Sequence, residues 1–394
     1  MEIRSKAIAL FAASILGFST ADAAVPQALP GPKNRFLILP NNTPGHVARA
    51  YRTGAPLGQL PQWNGSFVDT LGRTISFTMV GPNPATSNAT TTIPVVVVPV
   101  QIVFPPDEGH KRFDPSRHVV SSTGRTVLQL ALRSPLFRSN VRFVQGGVNL
   151  GKTQYIDAFQ RGNFWRFVKT NSNYHVLLGS PTVLDKLVFT VPSGLGQIES
   201  FSDGVQHAVV DLGAVDTALQ TYIETHKEVQ PGVLPIFLTY NTYLETNFQC
   251  CVGGYHSAAG GPPIGQTYIY ATFVDDPGQF SQDIEGLSHE IGEWMDDPFV
   301  DNVVDCSGDE TDGFLEAADP LEDDTNFGAY PYKVGGYTYN LEAFVFMPYW
   351  GDVNRGKSQR APSLNRWFTF QGSPAQNPTS HDSRTGVCPG SQGG

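Results

Sequence analysis

The chain has 394 residues, of which 40% are hydrophobic and 16% are charged, and its formal net charge is −10. This apolar content is normal for a folded protein, which excludes a disordered chain. Half of the 36 acidic residues, and no Lys or Arg, lie between Asp275 and Asp324, where apolar residues also recur. A folded acidic segment disfavours nucleic acid as a partner and favours a bound cation, with a solvated acidic face as the alternative.

The first residues have the pattern of a cleavable export signal. Arg4 and Lys6 precede an uncharged apolar run at residues 7–18, and an A-x-A cleavage pattern ends at Ala23. The run is shorter than the ~20 residues that a membrane-spanning helix needs. We therefore expect residues 1–24 to be a signal peptide and the protein to be secreted, either extracellular or periplasmic, with no membrane span. An N-terminal core helix is the alternative.

After the signal, short β-type runs separated by Pro and Gly dominate residues 25–180, which predicts a β-rich N-terminal region. Three roles are compatible with this region: a binding domain, a sheet that completes the fold, or a pro-region. Residues 181–394 are predicted to form a second, α+β domain, in which helices pack on a mixed sheet. Strands are predicted at 35–39, 74–80, 93–104, 186–192, 234–240 and 266–273, and helices at 126–132, 154–165, 211–227 and 281–297.

The chain has four cysteines, Cys250, Cys251, Cys306 and Cys388. Cysteines of an exported protein usually form disulfides, although four cysteines allow three pairings. A bridge between adjacent residues is strained, so we expect Cys250 and Cys251 each to pair with a distant cysteine. No C-x-x-C spacing is present, which disfavours a zinc site made of thiolates.

The helix predicted at 281–297 carries the residues with the clearest chemistry. At 3.6 residues per turn, His289, Glu293 and Asp297 follow one another on one face, with Glu290 beside them. Ligands at i and i+4 converge on one metal ion, and an acid directly after the first ligand can orient a water molecule. The pattern predicts a zinc site with His289 and Glu293 as ligands. The alternative is an amphipathic surface helix with a solvated His289.

A third zinc ligand is expected downstream, because a catalytic zinc usually has three protein ligands and an open position. Glu316 and Asp319 lie among apolar residues, so that one of them can point inward, and Glu316 is slightly favoured. Asp297 belongs to the same helix as the first two ligands. We expect it to fix a ligand or a loop by hydrogen bonds instead.

The acidic loop after this helix offers a second kind of cation site. Asp305, Asp309, Asp312 and Glu316 would supply the oxygen ligands that calcium prefers. Their spacing does not match an EF-hand, so calcium is the second choice of cofactor after zinc.

The pattern His289-Glu290-x-x-Glu293 resembles the zincin metallopeptidases, with Glu in place of the usual second His. Together with Glu316-Ala-Ala-Asp319-Pro and Gly254-Tyr-His-Ser, it looks like a group of secreted zincin-like proteins that includes the exordium-like proteins of plant cell walls. The resemblance covers residues 234–350. It implies a zincin-like mixed sheet with an active-site helix in the C-terminal half, His289 and Glu293 as metal ligands, and Glu290 as general base.

Two functions are compatible with these patterns. The first is a secreted zinc-dependent hydrolase, a metallopeptidase acting on a peptide or protein substrate, in which Glu290 takes a proton from water activated by the metal. Tyr255 or His256, expected in a glycine-rich loop, would then steady an oxyanion. The second is a non-catalytic extracellular binding or cell-wall-associated protein with a zincin-like fold and a structural metal or none.

Overall fold

The computed structural model of the chain describes residues 58–68, 73–106, 109–200, 204–246, 249–276, 281–304, 313–321, 329–350 and 362–371. The predicted signal peptide, the predicted strand at 35–39 and the calcium candidates Asp305, Asp309 and Asp312 lie outside these residues. Among the helices of the described chain, none is long and apolar enough to cross a membrane.

The described residues form strands and helices in mixed sheets, which confirms the predicted α+β class. The strands are β1 (Gln62–Val68), β2 (Thr74–Val80), β3 (Thr90–Ile93), β4 (Val95–Val103), β5 (Arg112–Phe113), β6 (Val119–Val120), β7 (Arg125–Thr126), β8 (Val141–Gln145), β9 (Val148–Thr153), β10 (His175–Leu178), β11 (Thr182–Val183), β12 (Leu187–Thr190), β13 (Gly196–Ser200), β14 (Gln206–Asp211), β15 (Leu234–Tyr240), β16 (Thr242–Thr246), β17 (Gln249–Val252), β18 (Gly254–Ala259), β19 (Gln266–Phe273), β20 (Ala329–Val334) and β21 (Tyr337–Glu342). The α-helices are α1 (Val127–Ala131), α2 (Tyr155–Asn163), α3 (Trp165–Val168), α4 (Leu212–Thr225) and α5 (Glu285–Asp296), and 3-10 turns lie at Asp319–Leu321, Met347–Tyr349 and Leu364–Arg366.

The main sheet has seven strands, in the order β11-β4-β15-β19-β18, with β5 and β12 also paired to β4. β4, β15 and β19 are parallel, and β18 runs antiparallel to β19. All residues of β15, β18 and β19 are buried, as expected of a sheet covered on both faces. β4 comes from the β-rich N-terminal region, so this sheet takes strands from both sides of residue 180.

Two helices cover opposite faces of the sheet at β18 and β19. On one face, Trp294 of α5 donates a hydrogen bond from Nε1 to Thr267 Oγ1 at 2.9 Å. On the other, Tyr255 and Tyr268 donate hydrogen bonds to Asp216 of α4 at 2.8 and 2.7 Å. Successive strand residues point to opposite faces. His256, between Tyr255 and Ser257 on β18, therefore points toward α5.

α5 is buried around its whole circumference, because it lies against β18, β19, β21, β2 and α2. The alternative prediction of a surface helix with a solvated His289 is therefore wrong, since that side chain is 0% exposed. The helix begins at Glu285, four residues later than predicted. Ser281 and Asp283 have positive φ angles, and Asp283 forms a β-bridge with Val274 instead of a helical turn.

Elsewhere the predicted strands at 74–80, 234–240 and 266–273 are confirmed as β2, β15 and β19. The predicted strand at 93–104 is divided at Pro94, since β3 pairs with β10 in a separate sheet while β4 enters the main sheet. The predicted helix at 154–165 is divided at Phe164, whose backbone (φ −110°, ψ 26°) leaves the α region.

Cys250 and Cys251 form a disulfide with each other, so the prediction that each pairs with a distant cysteine is wrong. The peptide bond between them is cis, and their Cα atoms lie 3.0 Å apart, closer than the about 3.8 Å of a trans peptide. Cys306 and Cys388 lie outside the described residues.

Candidate metal centre

Buried ionisable side chains meet where α5 crosses β18 and the end of β21. They come from α5 itself, from these two strands and from the segment that follows Phe314. The side chains are His256, His289, Glu290, Glu293, Glu316, Asp319 and Glu342.

The first group of potential ligands consists of His289, Glu293 and Asp319. His289 Nε2 lies 3.0 Å from Glu293 Oε2 and 3.1 Å from Asp319 Oδ1. The three side chains are at most 7% exposed, and their ligand atoms are close enough together to hold a metal ion. The other ring nitrogen of His289 faces Glu342 Oε2 at 3.7 Å. A carboxylate behind the far nitrogen of a histidine is the usual arrangement around a metal ligand.

The second group consists of His256, Glu293 and Glu316, so that Glu293 belongs to both groups. His256 Nε2 lies 3.8 Å from Glu316 Oε2, and His256 Nδ1 lies 4.0 Å from Glu293 Oε2. All three side chains are buried. Together the two groups place a carboxylate, Glu293, between two imidazoles that come from different elements.

Backbone hydrogen bonds fix the orientation of Glu293. Its Oε1 accepts hydrogen bonds from the backbone N–H groups of Ala318 and Asp319, at 3.1 and 3.2 Å. Oε2 is thereby directed toward the histidines. The same hydrogen bonds attach the segment that carries Glu316 and Asp319 to α5, so the helix and the downstream ligands are positioned together.

Asp297 holds both a histidine and a loop, as the sequence predicts. Its backbone carbonyl lies 3.0 Å from His256 Nε2. Its carboxylate accepts hydrogen bonds from the backbone N–H groups of Asp301 at 3.0 Å and of Asn302 at 3.1 and 3.2 Å. Asp297 therefore acts on the site through His256 and does not belong to either group of ligands.

Glu290 lies beside both groups and belongs to neither. Its Oε2 is 3.3 Å from His256 Nδ1, and its Oε1 has no hydrogen-bond partner within the described residues. The side chain lies directly on the backbone of Gly254, where an added Cβ would be 2.6 Å from Oε1. Burial raises the pKa of Glu290 to about 7, against the opposing effects of His256 and His289. A carboxyl group with this pKa can take up or release a proton near neutral pH.

Two other carboxyl groups also favour the neutral form. Burial raises the pKa of Glu316 well above its ordinary value, and the nearby Glu293 and Asp297 raise it further. Burial and Glu293 likewise raise the pKa of Asp319, although its hydrogen bond to His289 opposes the shift. Since a metal ion binds the deprotonated forms, binding at this site would release protons.

Glu293 and the histidines favour their charged forms. Burial pushes the pKa of Glu293 upward, but the charge and the hydrogen bond of His289 outweigh it and leave the pKa below its ordinary value. Burial pushes the pKa of His289 downward, but Glu293 and Asp319 raise it well above its ordinary value. Burial pushes the pKa of His256 downward, but the hydrogen bond to Glu290 and the charges of Glu290, Glu293 and Asp297 together raise it above its ordinary value.

The structure thus brings together all the predicted site residues, His289, Glu290, Glu293, Glu316 and Asp319. It places Asp319 against His289, while the slightly favoured Glu316 faces His256 instead.

Sequence reasoning missed His256 as a potential ligand. Residues 254–257 were expected to be a loop, but they belong to β18, and Tyr255 points away from the site. Glu342 had no sequence signal, since it lies near His289 through a long-range contact in which its backbone N–H donates to Ser288 Oγ of α5 at 2.7 Å.

Compared with protein-family models, with curated proteins and with solved structures, the chain matches none. The zincin resemblance therefore stays an expectation from the sequence, and the function has to be inferred from the chemistry of the site.

Proposed function

We propose that the protein is an exported zinc-dependent hydrolase, a metallopeptidase of zincin-like fold, with His289, Glu293 and Asp319 as zinc ligands. The observation that carries this proposal is the convergence of one imidazole nitrogen and two carboxylate oxygens at 3.0 and 3.1 Å. One nitrogen and two oxygens suit zinc, and three protein ligands leave the fourth position of a tetrahedron for substrate or water. The export pattern of residues 1–24 supports a place of action outside the cytoplasm.

A bound zinc ion would polarise a peptide carbonyl and lower the pKa of water. The residues of the chain hold and move the protons. Glu290, with a pKa of about 7, takes the proton from water and passes it to the leaving amine. His256 orients the Glu290 carboxylate by its hydrogen bond at 3.3 Å. Gly254 leaves room for that carboxylate beside the edge strand.

The test is a comparison of Glu290→Gln and His289→Ala with the wild-type protein, on an unstructured protein substrate such as casein. We expect Glu290→Gln to keep its zinc and its melting temperature but to lose about 10²–10⁴-fold in kcat/KM, because only the proton acceptor is removed. His289→Ala should lose zinc and activity together. Zinc is measured by elemental mass spectrometry.

Glu228→Gln provides the matched control, because Glu228 is an exposed glutamate outside the site. It should leave zinc content and activity unchanged. If Glu290→Gln cleaves the substrate as fast as the wild type does, Glu290 is not the base and the proposed mechanism is wrong.

One observation favours the second candidate, a non-catalytic extracellular protein with a structural metal. The side chains of both ligand groups are buried, with Asp319 the most exposed at 7%. Structural zinc sites are closed in this way, whereas catalytic sites keep an open position. Under this candidate, the wild-type protein binds zinc and cleaves no substrate. His289→Ala then loses zinc and stability, and there is no activity to lose.

A further inference from the structure

Glu316 is a buried carboxylate that the three-ligand zinc site leaves unused. Its side chain is 0% exposed, and neither carboxylate oxygen has a hydrogen-bond partner among the described residues. A buried polar group without a partner costs free energy, and a buried charge costs more unless it is paired or binds a metal ion. The nearest ionisable partner is His256, whose Nε2 lies 3.8 Å from Glu316 Oε2.

His256 is oriented as a metal ligand would be. The backbone carbonyl of Asp297 lies 3.0 Å from Nε2 and accepts a hydrogen bond when Nε2 carries the proton. Nδ1 shares a proton with Glu290 when no metal is bound, and an ion would replace that proton and bind the Nδ1 lone pair, which faces Glu290 and Glu293. A hydrogen bond that fixes one ring nitrogen, and so the tautomer, is the usual support of a metal-binding histidine.

Glu293 is placed to bridge two ions. Its Oε1 is held by two backbone N–H groups, so the free atom is Oε2. That oxygen lies 3.0 Å from His289 Nε2 and 4.0 Å from His256 Nδ1. A single carboxylate oxygen between two imidazoles from different elements can serve an ion on each side.

Once their protons are released, the carboxyl groups of the site carry enough negative charge for more than one divalent cation. Five carboxyl groups, those of Glu290, Glu293, Glu316, Asp319 and Glu342, lie around the two histidines. Among the described residues, the ion pairs of these carboxyl groups are with His256 and His289, and none is with Lys or Arg. One divalent cation offsets two carboxylates, and two divalent cations offset four of these five.

We propose that this is a dinuclear centre, in which Glu293 bridges two divalent transition-metal ions. His289 and Asp319 bind the first ion, which is the zinc of the proposed function on which this inference rests. His256 and Glu316 bind the second ion. In hydrolases with two metal ions about 3.5–4 Å apart, the pair stabilises both the attacking and the leaving oxygen. The second ion would lie on the side of Glu290, because His256 contacts that carboxylate.

The test is the metal content of the full mature protein after loading with zinc and exhaustive dialysis, measured per folded chain by elemental mass spectrometry. We expect two ions in the wild type and in the Glu228→Gln control. Glu316→Gln, which keeps the size of the side chain, and His256→Ala should each retain one. Gel filtration isolates the folded fraction of each variant, and circular dichroism verifies its fold.

Manganese provides a second readout that does not depend on activity. Two Mn²⁺ ions joined by a carboxylate should give an exchange-coupled paramagnetic resonance spectrum, and Glu316→Gln should give the spectrum of an isolated ion.

One ion per wild-type chain, kept in Glu316→Gln and His256→Ala and lost in His289→Ala, would overturn the dinuclear proposal and leave the proposed function standing. Two ions that both persist in Glu316→Gln and His256→Ala would also overturn it, because the second ion would lie elsewhere. No bound ion in the wild type would overturn both proposals.

Discussion

At the scale of single residues, Gly254 decides where the carboxylate of Glu290 lies. β18 and α5 approach so closely here that an added Cβ would be 2.6 Å from Glu290 Oε1 and 2.9 Å from its Cγ. Real Cβ atoms do not come this close to other atoms, so the glutamate side chain must give way. Glycine is required at this position for close approach of the backbone, since its φ angle is not in the left-handed region.

Gly254→Ala should therefore displace Glu290 and reduce catalysis more than stability. A displacement of about 1 Å in a catalytic group is expected to cost about 10²-fold in kcat/KM. Gly261→Ala is the matched control, because Gly261 follows the same strand and a Cβ there meets no atom within 4 Å. Zinc content and melting temperature are measured for both variants. Unchanged activity of Gly254→Ala would show that the position of Glu290 does not limit the reaction.

Asp296, at the end of α5, gives a prediction for pH. Burial raises its pKa from about 3.8 to about 8, against the hydrogen bond that Gln160 Nε2 donates to it. Between these two values the folded protein holds a proton that the unfolded chain has lost. The contribution of Asp296 to stability is therefore present at low pH and is lost as the pH rises through this window, by up to about 1.4 kcal/mol per pH unit.

Asp296→Asn removes this titration and keeps an oxygen for Gln160. The melting temperature of the variant, measured with saturating zinc, should rise relative to that of the wild type as the pH increases from 5 to 8. A constant difference across this range would mean that Asp296 does not change its protonation there.

At the scale of elements, the position of α5 depends on a close contact at Gly292. A Cβ at this residue would lie 2.1 Å from Cε1 of Phe344, a side chain that is 0% exposed. The helix can therefore pack tightly against Phe344, which follows directly after Glu342 and Ala343 at the end of β21. Glycine lowers intrinsic helix stability by about 1 kcal/mol relative to alanine, so its place in the middle of α5 is explained by packing.

Gly292→Ala should destabilise the protein, because overpacking a core costs about 1–3 kcal/mol and outweighs the gain in helix propensity. Gly213→Ala in α4 is the control, since its Cβ would meet only Asp211 Oδ1, at 3.4 Å. That variant should be neutral or slightly more stable. Thermal unfolding of both variants checks this, and an equal response of the two would contradict the packing argument.

A second link between elements passes through Asn302. Its side chain accepts a hydrogen bond from Thr78 N and donates to Thr78 O, both at 2.8 Å, and it also donates to Asp296 O at 2.7 Å. β2 is thereby joined to the end of α5. Together with β4 in the main sheet, this contact makes the N-terminal region part of the frame that holds the candidate site.

At the scale of the whole molecule, a metal ion held by the buried carboxylates would couple folding to metal binding. A ligand that binds only the folded state stabilises it by about 4 kcal/mol when its concentration is 1,000 times its dissociation constant. For a chain of this length we expect removal of zinc by a chelator to lower the melting temperature by about 5 °C or more.

Added zinc should restore the melting temperature, and magnesium or calcium should not, because imidazole nitrogen is a poor ligand for those ions. Differential scanning calorimetry with chelator and with each metal checks this prediction. A melting temperature that does not respond to chelator or to zinc would argue against a metal site in the folded protein.

The sequence by itself determined the elements that have strong local patterns. The bounds of β15, β19 and α4 are predicted closely. Burial on both faces of a strand gives a continuous apolar run, and burial on one face of a helix gives apolar residues at helical spacing. The same periodicity placed His289 and Glu293 on one helix face, with Glu290 beside them, since residues at i and i+4 are neighbours in any helix.

Only the tertiary structure decided which groups join them. Asp319 rather than Glu316 approaches His289 because backbone N–H groups of that segment bind Glu293, a contact with no local signature. His256 enters the site because it lies on the face of β18 that α5 covers, and the packing of a helix on a strand that precedes it by many residues has no local signature. Contacts over long sequence separations arise from the whole fold, and so no local pattern could predict them.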